Sequence, residues 1–142
     1  MVSVLISADS KFPISRPKIK AAVESVLRQK KITSDVEVSI LVCGGRKSQQ
    51  LARKFLADDS PHNVLSFPLE ESLGKNFSPT GKIVKGFVEH QPGVLILGDI
   101  VVCYPLVQEE ANRDNVLIDT KIDELVSHGM LHLLGEHHDV LS

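Results

Sequence analysis

At 142 residues with 42% hydrophobic content, the chain has the size of one domain with a real core, and its composition excludes a disordered or low-complexity protein. Aromatics make up 4% and Trp is absent, so the core must be built from Val, Ile and Leu. A net charge of −2 argues against generic nucleic-acid binding, but residues 1–56 hold 11 Lys or Arg against 4 Asp or Glu, while residues 57–142 hold 5 against 14. Such an asymmetry points to a polyanion partner or to ordinary solvated faces.

Residues 2–6 alternate as a strand. Pro17 opens a helix over 17–30, with Ile19, Val23, Val26 and Leu27 at helical spacing. Residues 36–43 alternate as a second strand, Gly44-Gly45 turns, and 46–56 form a helix with a basic face. A polar loop over 58–62 leads into a short strand at 64–67. Residues 70–93, with Gly74, Asn76, Pro79, Gly81 and Pro92, read as a loop followed by a possible strand over 83–88. Residues 94–102 carry the strongest strand pattern and 105–112 a short helix. Asn115 or Asp114 is placed to cap a long final helix ending at Leu134. The pattern predicts one α/β or α+β domain over 1–142, with a small mixed sheet, packed helices and a zincin-like, histidine-bearing C-terminal helix. Cys43 and Cys103 lie in apolar strands and read as reduced core thiols, and neither has a CxxC partner. The N-terminus carries no basic leader and no apolar run long enough for a membrane span, which predicts a cytoplasmic protein with no membrane partner.

Chemistry concentrates in residues 128–139, His-Gly-Met-Leu-His-Leu-Leu-Gly-Glu-His-His-Asp. His128 and His132 project from one helical face. Gly135 is the residue type that ends a helix in the left-handed conformation, and the turn can bring His138 opposite the pair. His137 is an alternative third ligand. Three neutral imidazoles with an open fourth position make a catalytic rather than structural zinc site, and zinc so held lowers the pKa of its water to about 7. The spacing follows the zincin pattern, but Gly129 stands where a zinc peptidase carries its general-base Glu, which argues against peptidase chemistry. Glu136, Asp139 and Glu124 are candidates to orient the ligand imidazoles, or are solvated helix charges.

HGMLHLLGEHH closely resembles the HGxLHLxGxDH signature of the YbeY family of bacterial rRNA maturation factors, metal-dependent single-strand endoribonucleases. Residues 61–68, PHNVLSFP, resemble the family's P-T-[DN]-V-L-S-F-P, and residues 97–103, LGDIVVC, its L-G-D-I-V-I-C. The resemblance implies one zinc ion, or another divalent transition metal, on His128, His132 and His138, which act through the water on the metal. It implies single-strand endoribonuclease activity in 16S rRNA 3′-end maturation and ribosome quality control. RNA and the ribosome or its proteins are the partners implied. Arg46, Lys47, Arg53 and Lys54 are candidate phosphate contacts, with Ser66 near the site. The sequence departs from the family at Glu136-His137, which replace Tyr-Asp, and at His62, which replaces Thr. Leu56 stands where the family commonly carries an Arg tied to nuclease function. A non-catalytic, metal-stabilised ribosome-assembly factor is the alternative, and a zinc hydrolase of small molecules a third reading.

Overall fold

A computed structural model describes residues 1–69 and 93–135. Strand β1 (Val2–Ala8) is followed by helix α1 (Arg16–Gln29), β2 (Asp35–Cys43), α2 (Gly45–Leu56), β3 (Val64–Pro68), β4 (Val94–Cys103), α3 (Tyr104–Asp114) and α4 (Ile118–Leu133). The sheet order is β1-β2-β4-β3, with β1 and β4 parallel to β2 and β3 antiparallel to β4. This is the mixed α+β sheet expected. The two Cys are free, buried and face each other in register across β2 and β4.

Alternation along the strands divides the core between two faces. Val36, Val38, Ile40 and Val42 of β2, with Ile100 and Val102 of β4, pack beneath α1, α3 and α4. Cys43, Leu65, Phe67 and Val101 point the other way and are covered by Leu51 and Ala52 of α2, with Phe55 edge-on to Phe67 at 5.7 Å. Helix α4 therefore lies on one side of the β3–β4 pair and α2 on the other.

Gly98 is not at a turn. It sits inside β4 with φ 137°, at a register shift opposite Glu37 and Val38, and a Cβ there would come within 2.2 Å of the Phe67 carbonyl oxygen. Only glycine allows β3 to approach so closely. Asp99, next in the Leu-Gly-Asp stretch, is buried within the sheet.

The expected cap of α4 is corrected. Its N-cap is Leu117, with no side-chain cap. Asn115 instead ends α3 in the left-handed conformation (φ 58°, ψ 44°), a shape its short polar side chain tolerates. Asp114 pairs with Lys121 at 2.8 Å, fastening the end of α3 to the second turn of α4. The possible strand over 83–88 lies outside the described residues. Among the described residues, no helix is long and apolar enough to cross a membrane.

Candidate active site

The buried stripe of α4 runs through Ile122, Leu125, Val126, Gly129, Met130 and Leu133, at the three- and four-residue spacing of one helical face. Packing that stripe on the sheet rotates Glu124, His128 and His132 outward. The stripe passes very close to β3 and β4. A Cβ at Gly129 would lie 3.1 Å from Ile100 Cδ1 and 3.1 Å from Ser66 Oγ. The carboxylate that a zinc peptidase carries at this position therefore has no room: the helix rests on its glycine.

His128 and His132 line an open cleft of about 730 Å³ between α4 and the edge strand β3, with Asn63, Ser66, Glu124 and Ser127 as its other polar residues. Their Nε2 atoms are 3.0 Å apart and their rings are 4.7 Å apart at 62°. Two nitrogens on one tetrahedral zinc, each about 2.0–2.1 Å from it, would be separated by roughly 3.3 Å. The pair fits a shared cation after a shift of a few tenths of an ångström. The donor set, two imidazoles one turn apart, is that of a borderline-soft transition metal rather than of calcium or magnesium. Gly135 has φ 84° and its N–H reaches the His132 carbonyl, so the helix ends in the left-handed turn expected. His138, with His137, Glu136 and Asp139, lies outside the described residues.

Ser66 is in the cleft and its hydroxyl faces α4. Asn63, which sequence reasoning passed over, is also there. Its amide nitrogen donates to both Glu110 oxygens at 2.9 Å, and its carbonyl accepts from Cys103 N–H. The β3 entry is thereby tied to α3. No local pattern announces this pair, because Glu110 lies 47 residues away. The four cations are not in the cleft: Arg46, Lys47, Arg53 and Lys54 are on α2, across the sheet. Arg53 Nε pairs with Asp59 at 2.7 Å, and Lys54 Nζ sits 5.5 Å from the Phe55 ring centre. Leu56, at the end of α2, is 48% exposed.

A small mixed sheet with a two-histidine helix laid along its antiparallel edge defines an α+β domain with a solvent-open, imidazole-lined site. Comparison with known proteins makes the assignment specific. A family model described as Endoribonuclease YbeY matches residues 6–141, and the chain belongs to that family. The endoribonuclease YbeY of Acinetobacter baumannii is 30% identical over 97% of this chain and 81% of its own length. That of Syntrophus aciditrophicus is 27% identical over 98% and 77%. A Thermotoga maritima protein known from its solution structure shares the fold with a TM-score of 0.52 at 24% identity, over 94% of this chain and 71% of its own.

Proposed function

We propose that this chain is a zinc-dependent endoribonuclease that cuts single-stranded RNA, serving 16S rRNA 3′-end maturation and ribosome quality control in the cytoplasm. RNA and the ribosome or its proteins would be its partners. The observation that carries the reading is the pair of imidazole nitrogens 3.0 Å apart in an open cleft, in a chain of the endoribonuclease YbeY family. His128 and His132 would hold the ion, with His138 as third ligand. Once bound, a dication supplies Lewis acidity toward a phosphoryl oxygen and activates water.

The chain's own groups do the rest. Each ligand imidazole presents an unprotonated Nε2 and keeps its proton on Nδ1. Without an ion, a hydrogen bond between the two neutral rings needs a proton on one Nε2, so loading would move that ring's proton to Nδ1. Ser66 Oγ, at the cleft floor, can donate to a substrate oxygen. Gly129 lets the helix sit low enough to bring that hydroxyl and the histidines together. Arg46, Lys47, Arg53 and Lys54 remain candidate phosphate contacts for RNA that passes over the β3 edge to the α2 side.

The test is cleavage of a small-subunit rRNA 3′ fragment by zinc-loaded wild type beside His132→Ala. Wild type should cut and the variant should not. Equal cutting by both would assign the activity to a contaminant. RNA binding without cleavage would move the reading to a non-catalytic, metal-stabilised assembly factor. The exposed Leu56 in place of the family's Arg favours that second reading.

A further inference from the structure

A second cavity, of about 310 Å³, lies where the parallel strands β2 and β4 end and where α2 and α3 begin. Gly45, Ser48, Pro61, His62, Pro105 and Leu106 line it, with Cys103 also on its wall. The RNA reading above gives it no role.

Three features mark it as a binding site rather than a packing fault. The first is the start of α2. Its N-cap, Gly44, offers no side-chain cap, and among the described residues the first backbone N–H of the helix to find an acceptor is that of Ser48, on the Gly44 carbonyl. The amides of Gly45, Arg46 and Lys47 thus have no acceptor there. The first turn carries Arg46 and Lys47 and no acid, which is the unfavourable sign of charge for a helix start. An anion would offset both costs. The second is Ser48, only 4% exposed, on the cavity wall, with a hydroxyl that has no hydrogen-bond partner among the described residues. The residue is almost wholly enclosed, so a ligand oxygen or nitrogen in the cavity would find this hydroxyl at its wall. The third is the opposite wall. His62 Nε2 lies 2.8 Å from Asp58 Oδ2; an ionised carboxylate only accepts, so Nε2 carries the proton and Nδ1 is left for a ligand. Pro61 and Pro105 add flat apolar surface beside the ring.

We infer that this cavity is a nucleotide subsite: the phosphate would sit on the free amides of Gly45–Lys47, and the base between the His62 and proline surfaces, with Ser48 on its polar edge. The inference rests on the RNA reading, because the same segment joins the two sites. Pro61 and His62 line the cavity, and Asn63–Ser66 line the histidine cleft. β3 begins only at Val64, and a chain rises at most about 3.3–3.6 Å per residue, so His62 and Ser66 are no more than about 14 Å apart. A single RNA strand can therefore bridge the two, holding a nucleotide adjacent to the bond being cut while its backbone crosses the β3 edge. Arg46 and Lys47 do not line the cavity and would add positive charge only from the first turn of α2 beside it.

The experiment is a two-dimensional amide NMR titration of the full chain with 5′-AMP, repeated with inorganic phosphate and with adenosine. AMP should shift the amides of Gly45–Ser48, His62 and Leu106. Phosphate alone should shift Gly45–Lys47, and adenosine alone His62 and Leu106, each more weakly than AMP. Ser48→Ala and His62→Leu should each weaken AMP binding about tenfold, the size of one lost stacking or polar contact. Both variants should keep the wild-type amide spectrum elsewhere, which separates a binding loss from misfolding. His132→Ala should leave AMP binding unchanged. If AMP shifts no amide around the cavity, or if Ser48→Ala and His62→Leu bind it as wild type does, the inference is wrong. RNA cleavage that persists in wild type would then leave the nuclease reading intact. Conversely, AMP bound here by a chain that cuts no RNA would sink the nuclease reading and keep the subsite.

Discussion

The contact that sets α4 on the sheet can be tested at Gly129. A glycine inside a helix normally costs about 1 kcal/mol against alanine, so Gly129→Ala should stabilise an exposed helix by that amount. Here the added methyl would meet Ile100 Cδ1 at 3.1 Å, Ser66 Oγ at 3.1 Å and Ile100 Cγ1 at 3.2 Å. Ile100 is fully buried, so it can give way only against its own core neighbours. Overpacking of this kind costs about 1–3 kcal/mol. Subtracting the propensity gain leaves a net destabilisation of about 1 kcal/mol, a fall in Tm of about 3 °C for a domain of this length. Ile100→Val removes the Cδ1 atom in conflict and alone should cost about 1 kcal/mol. In the double variant the new methyl occupies the vacated space, so the two losses should not add, and the coupling should be about 1 kcal/mol in favour of the pair. Urea denaturation of wild type, both single variants and the double variant measures all four corners. A Gly129→Ala protein more stable than wild type, or simple additivity in the double variant, would refute the packing argument. It would also reopen the question of whether a glutamate could stand at this position.

Cys43 has its thiol pushed up to about 12, chiefly by burial and further by the neighbouring Cys103, against a modest opposing pull from Lys47. The folded chain therefore keeps the proton above pH 9 while the unfolded chain releases it; this contribution is intact below pH 9 and lost as pH climbs toward 12. At pH 10 the loss should be on the order of 1 kcal/mol, read as a lower urea midpoint that Cys43→Ala abolishes. Asp114 is held below the usual carboxylate range by its hydrogen bond to Lys121, so its contribution is present at neutral pH and should disappear as acid protonates it. Lys121→Met should flatten that part of the acid-unfolding curve. Ala57 ends α2 at φ 52°, ψ 40°, which costs an L-residue about 1 kcal/mol, and Ala57→Gly should recover about that much in thermal unfolding.

Periodicity made the elements legible because each has one wet and one dry face: the residues assigned to the α1 core, Ile19, Val23, Val26 and Leu27, are the ones buried. The His128–His132 pair was legible for the same reason, since a four-residue step fixes both direction and distance on a helix. What failed was local chemistry with two uses. Asn115 fits a helix start and a left-handed helix end equally well by residue type, and the α3–α4 junction selected the second. Gly98 falls inside the strand read over 94–102, but its reason for being glycine is a close strand approach that depends on a β3 carbonyl about thirty residues away in sequence. Asn63 with Glu110, and the cavity between α2 and α3, come from contacts across the chain that no window of residues contains.

The charge pattern was legible as a count but not as a place. The surplus of cations in residues 1–56 pointed to a polyanion partner or to solvated faces, and the fold sets the α2 cations across the sheet from the histidines. Among the described residues lining the histidine cleft there is no Lys or Arg, and the ionised group there at neutral pH is Glu124. An incoming phosphodiester would meet two imidazoles, hydroxyls and one carboxylate. Glu124 is largely exposed and lies 3.9 Å from Lys121 Nζ, so both solvent and that cation weaken its repulsion of a phosphate. The cleft of the described chain therefore does not attract RNA by its own charge. The α2 cations can do so only from behind the β3 edge, where Arg46 and Lys47 flank the unpaired amides at the start of α2. On the proposed nuclease reading, attraction and cleavage would belong to opposite sides of one edge strand, and the segment from Pro61 to Ser66 is the part of the chain that lines both cavities.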